Sequence, residues 1–86
     1  MENFPYQLTD HAIKRISERQ IQLEWVVRVL QNPQKTEPDA EDPQLRHALG
    51  TIAEYGDRVL RVIYNETINP CRIVSVHFDR KLKGKL

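Results

Sequence analysis

Apolar positions in the first third of the chain recur at helical spacing. Behind Thr9 and Asp10, either of which suits a helix N-cap, Ala12, Ile13 and Ile16 form one stripe and predict a first helix within Leu8-Thr9-Asp10-His11-Ala12-Ile13-Lys14-Arg15-Ile16-Ser17-Glu18-Arg19. Gln20-Ile21-Gln22 interrupts it. Leu23, Val26, Val27 and Leu30 then fall at i, i+3, i+4 and i+7, flanked by Trp25 and Val29, and predict a second helix that Asn32-Pro33 stops. Upstream, Phe4-Pro5-Tyr6-Gln7-Leu8 reads as a short or edge strand, since proline suits a strand start. Residues 33 to 44 hold Pro33, Pro38 and Pro43 among four acids, which predicts a loop with at most a short extended piece around Lys35-Thr36.

From residue 45 the period changes to two. Leu45 to Tyr55 is the least regular of three strand segments, with Gly50 marking a bulge, and Gly56-Asp57 turns the chain into Val59-Leu60-Arg61-Val62-Ile63-Tyr64. After the loop around Ile68-Asn69-Pro70, Arg72 to Phe78 completes a meander. Pairing Tyr55 with Arg58 and Tyr64 with Val74 puts Leu49, Ala53, Leu60, Val62, Tyr64, Val74, Val76 and Phe78 on one face as a floor for the helices. The same register puts Arg46, Ile52, Arg61, Ser75 and His77 on the opposite face, with Arg61 across from His77. The expected architecture is α+β, with two N-terminal helices on one face of an antiparallel sheet.

Length allows one small domain over residues 1–86, and 40% apolar with 29% charged residues fits a globular rather than a disordered chain. Met1-Glu2-Asn3-Phe4 lacks the basic and apolar regions of a signal peptide, and no apolar run reaches membrane-spanning length, so the expectation is a cytoplasmic protein without a membrane partner. The single cysteine, Cys71, reads as a small structural side chain beside Pro70. Net charge is only +1, but its distribution says more. Setting aside Glu37, Asp39, Glu41 and Asp42 leaves 13 basic against 8 acidic side chains, a balance of +5. The tail Arg80-Lys81-Leu82-Lys83-Gly84-Lys85-Leu86 reads either as a solvated end or as a polyanion contact.

Two groupings could carry chemistry. His11, Arg15 and Arg19 fall at i, i+4 and i+8 on one helix face, an edge suited to phosphate. Arg61 and His77 meet on the other face of the sheet, where a cationic and a titratable group would stand on a rigid support. The helix edge and this sheet face lie on different sides and can join only at a sheet edge. Structural readings stand beside these. His11 can bond nearby backbone, Arg15 and Arg19 can be a solvated face around Glu18, and His77 can be a satisfied sheet histidine. Arg61 can be a packing residue paired with Asp79 or Glu54, and His47 falls on the helix-facing side as a structural histidine. No cluster has metal-ligand spacing, and no cofactor is expected.

The pattern L-T-x-H-A-x-x-R-x-x-x-R at Leu8 to Arg19, the second helix, the Asn32-Pro33 stop and the strand Arg58 to Tyr64 together resemble an uncharacterised bacterial domain family similar to the RelE/ParE-like toxin superfamily. The resemblance spans nearly the whole chain. It implies a β-α-α-β-β-β order with both helices on one side of a curved antiparallel sheet. Many members of that superfamily are type II toxins that cut RNA without a metal, others poison gyrase, and each is neutralised by an antitoxin. Some RelE-like nucleases use a tyrosine near the C-terminus; this chain has none after Tyr64. The expectation is a metal-independent endoribonuclease neutralised by a cognate antitoxin. Its reaction would draw on His77, Arg61, His11 and Arg15, and its RNA contacts on Arg19, Arg46, Arg80, Lys81 and Lys83. The alternative is a non-catalytic interaction module of the same fold that binds a protein partner or nucleic acid through the basic edge. A basic groove with a histidine in reach of a phosphate favours the enzyme; a helix edge tied up in internal ion pairs favours the module.

Overall fold

The computed structural model describes residues 4–86. Met1 to Asn3, part of the segment read as lacking a signal peptide, lie outside the described residues. The chain runs β1 (Gln7–Leu8), α1 (Asp10–Glu18), α2 (Leu23–Gln31), β2 (Lys35–Pro38), β3 (Leu45–Ile52), β4 (Arg58–Asn65) and β5 (Arg72–Asp79), with 3-10 turns at Ala53–Tyr55 and Arg80–Leu82. The five strands form one sheet in the order β1-β5-β4-β3-β2. The sheet is mixed rather than wholly antiparallel, because β1 pairs parallel to β5 through Gln7 with Arg72 and Leu8 with Ile73. The chain enters beside its last strand and leaves at once into α1, so β1 and β5 are neighbours in the sheet from opposite ends of the sequence. The piece expected around Lys35-Thr36 is a full edge strand, so the order is β-α-α-β-β-β-β.

Each helix begins and ends for a local reason. The Thr9 hydroxyl accepts the Ala12 amide at 3.1 Å and itself donates to the Val74 carbonyl at 3.2 Å, so a single side chain caps α1 and ties it to β5. At the other end Gln20 takes a left-handed φ of 54°, and the amides of Gln20 and Ile21 reach back to the carbonyls of Ser17 and Ile16. This is a Schellman closure with Ile21 turned inward. In α2 the buried stripe is Trp25, Val26 and Val29, rotated from the expected Leu23, Val26, Val27 and Leu30. In α1 Ala12 is fully buried, while Ile13 remains exposed.

Both helices pack on one face of the sheet. Ala12, Ile21, Trp25, Val26 and Val29 meet Ala48, Ile52, Leu60, Val62, Ile73 and Val76 there, each large aliphatic contributing about 1.5–3 kcal/mol of burial. Gly50 is the seat of α2 and not a bulge: a Cβ on it would stand 3.0 Å from Val29 Cγ2, and the β3–β4 register runs unbroken past it. Among the described residues no helix is long and apolar enough to cross a membrane.

The β3–β4 register differs from the expected one by three residues. Ile52 pairs with Arg58 and Leu49 with Arg61, because Ala53 to Tyr55 leave the sheet as a 3-10 turn before the left-handed pair Gly56 and Asp57. Tertiary contacts hold that turn. Glu54 takes both guanidinium nitrogens of Arg28 at 2.8 and 2.9 Å, and Tyr55 stacks on Trp25 and Phe78. An odd shift swaps every side chain of β3 to the other face. Ile52 and Arg46 therefore lie on the helix side, and Leu49 and His47 on the outer side, the reverse of the expected assignment. The β4–β5 register is as expected up to Ile63 opposite Ser75, including Arg61 opposite His77; a bulge then sets Tyr64 opposite Ile73 instead of Val74.

Candidate functional site

Because β1 is two residues long, it covers β5 only at Arg72 and Ile73. Ser75 to Asp79 therefore form a free sheet edge, and α1, pinned to that strand by Thr9, runs beside it. Along this edge lies an open cleft of about 850 Å³. α1 contributes Arg15 and Arg19, β5 contributes Ser75, His77, Phe78 and Asp79, the β3–β4 hairpin contributes Tyr55 and Arg58, and the C-terminal turn contributes Arg80 and Lys83. The helix edge and His77 come together here, at the sheet edge. Among the described residues, the ion pairs leave Arg15, Arg19, Arg58, Arg80 and Lys83 without a carboxylate partner. The cleft therefore presents five cations against Asp79, itself bound elsewhere.

His77 is half-buried on the wall of this cleft. Burial first, then the Arg61 guanidinium across the strand pair, hold its pKa below the ordinary imidazole value; Asp79 opposes, and His47 and Arg15 add to the lowering. Its ring is therefore neutral at pH 7 and able to take a proton.

Arg61 does not reach the cleft. Its Nη1 donates to Glu37 Oε1 at 2.7 Å and to His47 Nδ1 at 2.7 Å, while Nη2 and Nε donate to Asp79 Oδ2 at 2.8 and 3.2 Å. With its donors so engaged and its side chain only 13% exposed, it cannot hold a substrate phosphate without abandoning carboxylates. Asp79 is the partner it takes; Glu54 belongs to Arg28. His47 closes the network on the outer face. An arginine can only donate, so His47 Nδ1 accepts and Nε2–H donates to Asp39 Oδ1 at 2.7 Å. That bond, with the backbone amides of Asp42 and Glu41, takes the Asp39 carboxyl down to about 2. Two acids of the segment set aside as a separate negative surface, Glu37 and Asp39, are thus spent on internal partners.

The other expected residues separate cleanly. Arg19, Arg80 and Lys83 line the cleft, whereas the exposed His11 and Lys81 do not. Arg46 lies far along β3, between the Thr36 hydroxyl at 3.4 Å and Glu66 at 3.9 Å. Cys71 is half-buried beside Pro70, and burial pushes its thiol up. Ser75, Phe78 and Asp79, and with them Tyr55 and Arg58 from the hairpin, line the cleft without having been expected there. The one signal was an aromatic and a base flanking the Gly56-Asp57 turn, read there only as strand ends.

Fold and cleft together define a small α+β domain with a cationic groove at an open sheet edge. The chain belongs to the family described as Domain of unknown function (DUF4258), whose model matches residues 8–78. No curated protein and no solved structure matches it.

Proposed function

We propose that the chain is a metal-independent, toxin-type endoribonuclease of the cytoplasm, related to the RelE/ParE-like superfamily and neutralised by a cognate antitoxin that covers the cleft. The observation that carries this reading is the convergence of Arg15 and Arg19, free of ion pairs among the described residues, with a pKa-lowered His77 in one open groove. Phosphate-binding cations and a base are the parts that cleavage through a 2′-hydroxyl needs. In this scheme neutral His77 takes the proton of the 2′-hydroxyl. The 2′-oxygen then bonds to phosphorus as the bond from phosphorus to the 5′-oxygen breaks. Arg15 and Arg19 hold the charge that develops on the phosphorane oxygens, and the departing 5′-oxygen takes a proton from water in the open cleft. The products are a 2′,3′-cyclic phosphate and a 5′-hydroxyl.

The test is cleavage of single-stranded RNA by purified protein, alone and with ribosomes, beside growth arrest on induction. His77→Ala should lower the rate by about 10²–10⁴-fold. Arg15→Ala should lower it by about 10²-fold, with less effect on binding. RNA binding without cleavage, and harmless induction, would leave the interaction module as the function.

A further inference from the structure

The hairpin end of the cleft holds an arrangement that phosphate binding does not require. Tyr55 is 38% exposed, yet its ring is fixed: its centroid lies 5.3 Å from that of Trp25 and 5.2 Å from that of Phe78, which are themselves 6.2 Å apart. Arg58 lays its guanidinium over the Tyr55 ring, 4.4 Å from the centroid, and both residues line the cleft. The cation–π contact keeps the arginine beside an exposed aromatic ring at the cleft. A planar ligand can use both groups, because a guanidinium or a phenol ring can stack on a base. Phe78, on which Tyr55 rests, directly follows His77 on β5, so the stack stands on the helix face and the imidazole on the outer face of the same strand edge, and both line the cleft.

We infer that Tyr55 and Arg58 form a nucleobase-stacking subsite that receives one unpaired base of a single-stranded RNA, while Arg15, Arg19, Arg80 and Lys83 of the same cleft hold its phosphates. This rests on the reading of the cleft as an RNA site and adds what phosphate contacts cannot supply, a preference for unstacked bases over bare polyanion. Every base has a stacking face, so the subsite selects single strands over duplex more than one sequence over another.

The experiment compares the affinity of the full chain for a short single-stranded RNA, the same strand made abasic, the corresponding duplex, and inorganic polyphosphate. Trp25, the only tryptophan, lies against Tyr55 and serves as the optical reporter. The intact single strand should bind about 10-fold or more tightly than the abasic strand and should change Trp25 emission. Arg58→Lys, which keeps the charge and loses the plane, and Tyr55→Leu should remove that advantage while leaving polyphosphate affinity within about twofold. Arg58→Lys carries the test should Tyr55→Leu disturb the core. Equal affinity for intact and abasic strands, or equal losses for RNA and polyphosphate, overturns the subsite and leaves the phosphate cleft standing. Binding of no polyanion overturns both. Stacking without any cleavage retains the subsite and removes the nuclease.

Discussion

His77 and Arg61 face one another across the β4–β5 pair, but their surroundings give them different work. His77 lines the cleft with its pKa lowered by burial and by Arg61, so in the proposed reaction it would serve as a base below the ordinary imidazole value. A pH–rate profile of kcat/KM should therefore show an acid limb with a midpoint below 6.5, rate falling as the ring gains its proton. Arg61→Met removes a positive neighbour and leaves Asp79 behind, so it should move that limb to higher pH. The same substitution strips Glu37, Asp79 and His47 of their donor and should cost about 2–3 kcal/mol of stability in urea unfolding. Asp39 makes a separate statement about acid. Its folded pKa of about 2 lies under the ordinary 3.8, so its contribution is full above pH 4 and is lost as pH falls toward 2. Thermal melts between pH 5 and 2 should show Tm dropping over that window, with less of a drop in Asp39→Asn.

At the scale of elements, the cleft exists because β1 is short and α1 is anchored. A longer β1 would pair along Ser75 to Asp79 and close the edge. Thr9 joins the two conditions, since its hydroxyl serves the Ala12 amide and the Val74 carbonyl at once. Thr9→Ala should cost about 1–2 kcal/mol in chemical denaturation. It should also lower kcat for RNA cleavage more than it raises KM, because Arg15 and Arg19, which in the proposed reaction hold the charge of the phosphorane, ride on the helix that it releases. The 3-10 turn Ala53–Tyr55 is the other element that matters, since its departure from the sheet carries Tyr55 to Trp25 and Phe78 and brings Arg58 to the groove.

For the whole molecule, a net charge of +1 conceals a strong separation. Acids are drawn into the network around Arg61 and His47, while the cations of the cleft stay unpaired among the described residues. With Arg15, Arg19, Arg80 and Lys83 each meeting a phosphate, single-stranded RNA affinity should fall with salt at a log–log slope of roughly −3. Titrations at several salt concentrations check this, and a flat response would rule out a phosphate-led contact. Replacing Lys81, which is outside the cleft, should leave the slope unchanged.

The periodicities alone determined two helices followed by strands, a cap at Thr9 or Asp10, the stop at Asn32-Pro33, and the juxtaposition of Arg61 with His77, because these depend on contacts between near neighbours or on a single hairpin. Tertiary structure decided the rest. Two antiparallel registers three residues apart satisfy the alternation of Leu45 to Tyr55 about equally well. Contacts between residues distant in sequence, the core around Ala48 and Ile52, Gly50 against Val29, the Trp25–Tyr55–Phe78 stack and the Arg28–Glu54 pair, go with the one that sends His47 outward and Arg46 inward. Asp79 was open to the sequence as a partner of Arg61 through the β4–β5 hairpin, but Glu37 comes from β2, whose place beside β3 no local pattern encodes, and with both acids the guanidinium is engaged. The cleft itself, built by α1, the free edge of β5, a hairpin and the C-terminal turn, is a product of sheet order, and sheet order follows from the balance of burial over the whole chain.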